Sequence, residues 1–397
     1  MLHSCFLHTL VNTIHYTLQC YKHILFVIND IVKFVKLEKN SKSVSIIVKS
    51  LLFCFIFAGL FSVEQNQTFK MKSTIESGSF DFSLRLYKLL SSPNNNLIVS
   101  PFSVSNALAM VNYGARDKTA AEISRVIFGR EISEDHFQLM AQEFNDLVNK
   151  NVKANSEVLN VANFLYSHNQ FNIHSEYKDA LVNYFNAKAT ELDFQNGGQA
   201  INKINGDVSI ATKGKIDQLF DSIDPMTRMI LVNAIYFKGL WKSQFKKDAT
   251  KKDNFYLTNG NSVQIDMMFQ NSKYNFGYNE QLKFKALEIP YENSNTSLLL
   301  LLPDEGNSIE DLEDKLTVEL INDLLNNKME NLKVEVYLPK FKLSSTLHLI
   351  PSLAKLGMKD LFSVKDANFS GITNEPTGLY VGDVIQKAVI EVNEEGT

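Results

Sequence analysis

Cysteine is scarce in this 397-residue sequence, and most of the chain has none. The three cysteines, Cys5, Cys20 and Cys54, all lie within the first 54 residues. Residues 55–397 therefore contain no thiol that could crosslink them. A disulfide framework is excluded for that part of the chain.

The sequence also lacks a surplus of positive charge. Its formal net charge is -4 and its pI is about 6.1. Nucleic-acid-binding proteins usually carry a strong surplus of basic residues, so nucleic acid is excluded as a partner of this protein. The densest basic run of the globular part is formed by the lysines at 246, 247, 251 and 252. A solvated face is the simpler interpretation, and a site for an acidic partner or a glycosaminoglycan is the alternative.

The motifs of the common enzyme classes are missing. There is no Gly-x-Ser-x-Gly elbow, no His-Glu-x-x-His zinc motif and no Gly-x-x-x-x-Gly-Lys phosphate loop. Half of the eight histidines fall in the first 23 residues. The other four, which we expect at the surface, show no metal-ligand spacing: His136, His168, His174 and His348. The sequence thus predicts a protein that is not an enzyme and binds no metal or cofactor.

The composition is that of a folded globular protein. Hydrophobic residues make up 45% and charged residues 21% of the chain, and no internal repeat or low-complexity linker interrupts it after Ser77. One large domain over residues 77–397 is therefore predicted, with helices dominating its first third. Thr119 followed by Glu122 has the spacing of a capping box and predicts a helix start there.

The first 62 residues form an N-terminal extension with an apolar run at residues 51–61. Lys42 and Lys49 precede the run and the small Ser62 follows it, which is the layout of a secretory signal. The alternative is an uncleaved anchor over residues 44–63, and only that alternative implies a membrane partner. A polar linker is predicted at residues 63–76. Secretion to the extracellular space is also compatible with three glycosylation sequons, at Asn66, Asn295 and Asn368.

Two stretches have the pattern of strands. Residues 387–393 alternate, with Ala388 and Ile390 on one face and Lys387 on the other, as in a strand with one buried face. Residues 229–239 are apolar on both faces apart from Asn233, which indicates a strand covered on both sides. A buried amide there needs a hydrogen-bond partner, since an unpaired one costs about 1 to 3 kcal/mol.

Three collinear segments resemble one known family. The end of the chain reads Lys-Ala-Val-Ile-Glu-Val-Asn-Glu-Glu-Gly-Thr over residues 387–397, residues 96–115 contain Val-Ser-Pro-Phe-Ser-Val-Ser, and residues 233–241 read Asn-Ala-Ile-Tyr-Phe-Lys-Gly-Leu-Trp. Together they resemble the serpins, and the similarity extends over residues 77–397. The resemblance implies an α+β fold, with helices packed around a large mixed central sheet and additional β-sheets. It also implies that the chain is truncated at the hinge of the reactive loop, so that this loop and the closing C-terminal strands are absent.

The resemblance implies a function as well. Inhibitory serpins are suicide substrates of serine proteases, whose cleaved loop inserts as a new strand into the central sheet. We therefore expect a monomeric inhibitor with a serine protease as its partner; some relatives trap cysteine proteases. The alternatives are a non-inhibitory serpin, acting as carrier, storage protein or chaperone, and an inactive truncated product.

Site residues follow from the same resemblance. The hinge of the loop would be Glu394, Glu395, Gly396 and Thr397. The cluster that rearranges when the sheet opens would comprise Ser100, Pro101, Ser103, Asn233 and Gln386. The point where the loop enters the sheet would be marked by Trp241, Lys340 and Glu394. Two positions depart from the family pattern: Gln386 stands where a histidine is common, and Asp207 stands where an aromatic residue is usual, which we expect to weaken the docking of its helix.

Overall fold

The computed structural model describes most of the chain after the N-terminal extension. The described residues are 27–28, 44–47, 52–55, 67–92, 95–153, 159–257, 261–292, 296–375 and 378–397. All structural statements below refer to these ranges.

Nine α-helices of seven or more residues lie within the described ranges. In chain order they are α1 (Gln67–Leu90), α2 (Pro101–Gly114), α3 (Asp117–Phe128), α4 (Phe137–Lys153), α5 (Ser175–Phe185), α6 (Gly197–Ala211), α7 (Ile309–Lys315), α8 (Val318–Asn327) and α9 (Ile350–Leu356).

The described strands form two large sheets and one small ribbon. They are β1 (Val27–Ile28), β2 (Val44–Ile47), β3 (Leu52–Phe55), β4 (Leu159–His168), β5 (Ala187–Leu192), β6 (Met229–Phe237), β7 (Lys251–Tyr256), β8 (Ser262–Asn279), β9 (Phe284–Pro290), β10 (Ser297–Pro303), β11 (Met329–Pro339), β12 (Phe341–His348) and β13 (Val381–Val392).

The five-stranded sheet contains the strands predicted from the sequence. Its order is β12-β13-β6-β4-β5, and the central pair β13 and β6 is parallel, whereas β6 and β4 are antiparallel. All nine residues of β6 are buried, as its doubly apolar pattern predicted. On β13, Ala388 and Ile390 point into the core between the sheets, and Ile385 and Val389 point to the opposite face. The alternation read from the sequence is confirmed, but the expectation of a single buried face is wrong, because Ile385 and Val389 are buried as well.

Helices cover both faces of this sheet. Beneath it lies α2, which is buried along most of its length and packs with α1, α3, α4 and α5 in the largest core cluster. Above it lies α6, whose Ala200, Ile204 and Val208 pack on residues of β4, β6 and β13. The mixed central sheet with surrounding helices is the predicted α+β architecture.

The second sheet packs against one face of the first sheet, around Ile235 of β6 and Ile390 of β13. Its order is β10-β9-β8-β11-β2, with β7 paired to β8, and its inner face shares a core with Ile235 of β6 and Ile390 of β13. Strand β10 is buried at all seven positions and pairs with β9 over its whole length. The expectation that the strands completing the fold are absent is not supported, since β10 is in place.

Two local expectations were wrong. Residues 67–76, predicted as linker, belong to α1. The helix α3 begins at Asp117 behind Arg116, so Thr119 is not its cap. The hydroxyl of Thr119 instead accepts a hydrogen bond from the backbone N–H of Asn368, and the Glu122 carboxylate accepts two from residues 359 and 360. Both side chains are engaged by a distant segment, which the local spacing could not show.

Candidate functional site

The four predicted hinge residues lie against the residues that follow β6. After β13 ends at Val392, the chain makes a tight turn in which the N–H of Asn393 donates to the carbonyl of Gly396 at 2.8 Å. Thr397 then pairs with Gly239 through two backbone hydrogen bonds of 2.7 and 2.8 Å, and Trp241 N–H donates to the carbonyl of Glu395 at 2.9 Å. The hinge is thus held by backbone pairing at the end of the β13/β6 pair.

Gly396 is required by a close approach of two backbones. A Cβ atom at this position would lie 1.8 Å from the carbonyl oxygen of Gly239. No side chain fits at that distance, so the pairing of Thr397 with Gly239 depends on glycine. The clash that excludes a side chain at position 396 arises in this conformation of the hinge, in which the two backbones are in contact.

Trp241 lies beside the predicted hinge, and its role as the entry point of the loop stays a prediction. Its ring is fully buried and stacks on Tyr291 with a centroid distance of 5.0 Å and an interplanar angle of 11°. Its indole N–H donates to the carbonyl of Asn393 at 2.9 Å, and Phe245 contacts it edge-on. The only tryptophan of the chain is therefore bonded directly to the turn that begins the hinge.

Glu394 is the best-anchored hinge side chain. It is 5% exposed, and its carboxylate accepts hydrogen bonds from Lys340 Nζ at 2.9 Å and from Thr250 Oγ1 at 2.9 Å. Burial by itself raises the pKa of this carboxyl, but the bonds from Lys340, its own backbone N–H and Thr250 together hold the pKa below its usual range. Lys340 and Glu394, which the resemblance put together at the loop entry point, are in direct contact, and Thr250 is a partner that the sequence did not indicate.

Glu395 is held more loosely than its neighbour. It forms an ion pair with Lys247 at 2.8 Å in which both side chains are at least half exposed. The hydrogen bond and charge of Lys247 lower the pKa of Glu395. Exposed ion pairs of this kind contribute little to stability. A substitution at Glu395 is therefore a suitable control for the same substitution at Glu394.

A buried hydrogen-bond chain lies beneath the β13/β6 pair. Gln386, directly opposite Asn233 in the register, donates through Nε2 to Asn233 Oδ1 at 2.6 Å and to the Ser100 carbonyl at 3.0 Å. Its Oε1 accepts from the Ser100 N–H at 2.8 Å, and Asn233 Nδ2 donates to Asn163 Oδ1 at 2.7 Å. A single chain of bonds therefore links α2, β13, β6 and β4.

Three of the five residues of the predicted cluster, Ser100, Asn233 and Gln386, belong to this hydrogen-bond chain. Pro101 is the first residue of α2, directly after Ser100, and it fixes the start of that helix. Ser103 is fully buried nearby, but its hydroxyl has no hydrogen-bond partner within the described ranges. Asn163 of β4 was missed, because no motif in the sequence marks it. The role of this cluster in opening the sheet remains a prediction.

The remaining predicted sites are less informative. Asn66 and Asn295 lie outside the described residues. Asn368 is partly buried, and its Nδ2, the atom that would carry a glycan, donates to Asp117 at 2.7 Å. His168 is 5% exposed, so the expectation of a surface histidine is wrong there.

Within the described ranges, no set of three or more His, Cys, Asp or Glu side chains is grouped so that it could hold a metal ion. No helix in those ranges has the length and hydropathy of a membrane span.

The site and fold were compared with known proteins. The family model described as "Serpin (serine protease inhibitor)" matches residues 77–397, so the expectation that the chain is truncated is not supported by the extent of the match. The human leukocyte elastase inhibitor is 37% identical over 335 residues, which cover 81% of this chain and 86% of that protein.

Two solved structures share the fold with a TM-score of 0.76 and 28% identity. They are mouse protein-Z dependent protease inhibitor, which covers 84% of this chain and 89% of its own, and human thyroxine-binding globulin in complex with thyroxine, which covers 84% and 88%. The sheet order, the bonded hinge and the sequence match converge on the same conclusion: this chain belongs to the serpin family.

Proposed function

We propose that this protein inhibits a serine protease as a suicide substrate. In this proposal, the loop that follows the hinge inserts between β13 and β6. The observation that carries the proposal is the position of the hinge. Residues 394–397 lie at the end of two strands that run parallel to each other. A segment that turns back from the end of β13 would run antiparallel to both neighbours, so both of its edges could form antiparallel ladders.

The energy available from such an insertion is large. A new strand of about ten residues that pairs on both edges gains on the order of 10 kcal/mol at about 1 kcal/mol per hydrogen bond. That gain is comparable with the whole stability of a typical domain, about 5 to 15 kcal/mol. Insertion can therefore drive a displacement of whatever is attached to the loop.

In the proposed reaction, the protease serine attacks a peptide carbonyl in the loop. The new amine leaves, and an acyl-enzyme ester remains. Insertion then carries the attached protease across the sheet before water can hydrolyse the ester. One inhibitor is consumed for each protease trapped. The similarity to the human leukocyte elastase inhibitor supports an elastase-like serine protease as the first target to test.

The test is the formation of a covalent complex. The full-length gene product is purified and incubated with leukocyte elastase and, separately, with trypsin, and the products are separated in denaturing detergent. We expect a band at the summed mass with an active protease and none when the active-site serine has been blocked beforehand. Cleavage without a complex for both proteases would contradict the proposal for these targets, and intact protein beside active protease would favour the non-inhibitory alternative.

Thr397 offers a matched pair of variants. It is 2% exposed, and its hydroxyl has no hydrogen-bond partner within the described ranges. Thr397→Val keeps the size of the side chain and should still form the complex. Thr397→Arg places a charge where the segment must enter a packed interior, and should turn the inhibitor into a substrate that is cleaved and released.

We further propose that the protein is secreted, with residues 51–61 acting as the signal. The support is the apolar run itself, with Lys42 and Lys49 before it and Ser62 after it. Expressed in a secretory cell line, the protein should reach the medium with a new N-terminus shortly after residue 61, and therefore without the strands β1, β2 and β3. Retention in the membrane fraction with an intact N-terminus would support the anchor alternative instead. Treating the secreted product with a peptide N-glycosidase would show whether any of the three sequons is used.

A further inference from the structure

The sequence contains three Asn-Gly pairs, at residues 196–197, 205–206 and 259–260. This dipeptide is prone to lose the side-chain amide of its asparagine, because glycine has no Cβ atom to shield its backbone nitrogen. Asn196 stands directly before α6, and Asn205 lies inside that helix. The third pair lies outside the described residues. The structure therefore shows one reactive dipeptide in two different surroundings.

The loss of the amide is a reaction within the chain. Hydroxide removes the proton of the glycine N–H, and the nitrogen attacks the side-chain carbonyl carbon of the asparagine. A new C–N bond closes a five-membered succinimide, the C–N bond to the side-chain nitrogen breaks, and ammonia leaves with a proton from water. Water then opens the ring at either carbonyl and gives aspartate or isoaspartate. One water is consumed and one ammonia is released, and nothing is oxidised or reduced.

The groups that must meet in this reaction are free at Asn196. Its side chain is exposed and makes no hydrogen bond within the described ranges. Gly197 is the first residue of α6, so its N–H has no acceptor inside the helix, and it has none elsewhere in those ranges. Neither group has to give up a hydrogen bond to the protein before the attack.

The backbone around Asn196 has room to rotate. Its φ is −93° and its ψ is 65°, and ψ must turn to bring the nitrogen of Gly197 onto the side chain. Within 4 Å, a Cβ on Gly198 would meet nothing, and one on Gly197 would meet one backbone oxygen at 3.9 Å. The Asn196 carbonyl accepts from the N–H groups of Gln199 and Ala200 at 3.1 and 3.2 Å. These are the first bonds of the helix, and helix ends fray at little cost in free energy.

Asn205 is held in place by three hydrogen bonds. Its Nδ2 donates to the carbonyl of Phe220 at 2.9 Å, and its Oδ1 accepts from the N–H groups of Leu219 and Phe220 at 2.9 and 3.0 Å. Gly206 follows it inside α6, where a backbone N–H is directed at the carbonyl four residues earlier. The attack at this pair requires all three side-chain bonds and a turn of the helix to break.

We infer that Asn196 is a site of spontaneous deamidation in the folded protein, and that the fold protects Asn205 from the same reaction. The inference is independent of the proposed function. Deamidation adds a negative charge in front of α6. Aspartate caps a helix as well as asparagine does, so this product should keep the start of the helix. Isoaspartate adds one carbon to the backbone, so the bonds from Gln199 and Ala200 should lose their geometry.

The test compares the two positions in one protein. The full-length protein is kept folded in a mildly alkaline buffer and, in parallel, unfolded in the same buffer with urea. Peptide mass spectrometry measures the conversion of amide to acid at each position, and an isoaspartyl methyltransferase detects the isoaspartate. In the folded protein, position 196 should react within about tenfold of its rate in urea. Position 205 should react at least about 100-fold more slowly than position 196, whereas the two rates should be similar in urea.

Two glycine variants form a matched pair. Gly197→Ala puts a methyl group beside the attacking nitrogen and should slow the reaction at position 196 about tenfold. Gly198→Ala makes the same change at a residue that takes no part in the ring, and should leave the rate within about threefold. Neither new Cβ has a neighbour closer than 3.9 Å, so both variants should fold. Denaturant unfolding checks this.

Three results would overturn the inference. The first is an amide at position 196 that stays intact in the folded protein while it is lost in urea. The second is equal rates at positions 196 and 205 in the folded protein, which would mean that the fold selects neither. The third is a Gly197→Ala variant that reacts as fast as the natural protein. No protease takes part in these measurements, so a failure of the proposed function leaves the inference standing.

Discussion

The indole N–H of Trp241 donates to the backbone carbonyl of Asn393, which is the residue where the last strand turns into the hinge. The tryptophan is fully buried and is the only one in the chain. Its fluorescence therefore reports on the surroundings of the hinge, with no background from other tryptophans. This makes several properties of the hinge directly measurable.

Acid should loosen the hinge through Glu394. The pKa of this carboxyl is lowered in the folded protein, so its bonds to Lys340 and Thr250 stabilise the hinge fully above the ordinary pKa of 4.5. That stabilisation is lost as the pH falls from 4.5 through the lowered pKa. We expect a change of Trp241 fluorescence in that window, before global unfolding.

Two substitutions check the assignment. Glu394→Gln keeps the size of the side chain but cannot titrate, so the fluorescence change below pH 4.5 should disappear. Glu395→Gln removes an exposed pair with Lys247 and should leave the change in place. An unaltered acid transition in Glu394→Gln would show that another group is responsible.

A methyl group at Gly396 should detach the hinge. The added Cβ would lie 1.8 Å from the Gly239 carbonyl, so Gly396→Ala cannot keep the pairing of Thr397 with Gly239. The amides of Gly239 and Trp241, both bonded to the hinge, should exchange with solvent much faster. Gly198→Ala is the control, because a Cβ there meets nothing within 4 Å and lies in α6. That variant should be unchanged or more stable by about 0.5 to 1 kcal/mol.

Replacing Gln386 should destabilise the closed sheet. Gln386→Ala leaves the Ser100 N–H and Asn233 Oδ1 without their partner in a buried site, whereas the Ser100 carbonyl keeps its hydrogen bond from the Val104 N–H. Each unpaired buried group costs about 1 to 3 kcal/mol, so we expect a loss of about 2 kcal/mol or more in unfolding free energy. Urea unfolding near neutral pH measures it. A loss below about 1 kcal/mol would mean that other groups reach these partners.

A histidine at the same position should introduce a pH switch. Gln386 does not titrate, so the hydrogen-bond chain is constant over the neutral range. In Gln386→His, burial lowers the pKa of the imidazole below its ordinary value of about 6.5, and the stability of the variant is lost as the pH falls below that value. The measurement is the difference in unfolding free energy between pH 7.5 and 5.5 for the two proteins. An equal difference in both would contradict the prediction.

Much of the site follows from local sequence patterns. The alternation from Lys387 to Asn393 placed β13, and the doubly apolar run around Asn233 placed β6, because the faces of a strand are set by a period of two. The requirement that a buried amide be paired correctly predicted that Asn233 has a partner. Which partner it has did not follow, since Asn163 lies 70 positions earlier in the chain.

Long-range contacts decided the features that sequence reasoning missed. Thr119 and Glu122 have a capping spacing, but segments more than 230 positions away bind both side chains. Asp207 was expected to weaken the docking of α6, but its carboxylate accepts a hydrogen bond from the hydroxyl of Tyr166 of β4 at 3.0 Å, and this contact helps to attach the helix to the sheet. Thr250 likewise becomes a hinge partner only when its segment packs beside Glu394.

The sequence by itself determined the family and the central pair of strands, because these depend on short motifs and on the periodicity of apolar residues. The tertiary structure alone decided how residues 394–397 are held and how α6 attaches to the sheet. Those features are hydrogen bonds between residues far apart in the chain. Their geometry is set by packing, which no local pattern encodes.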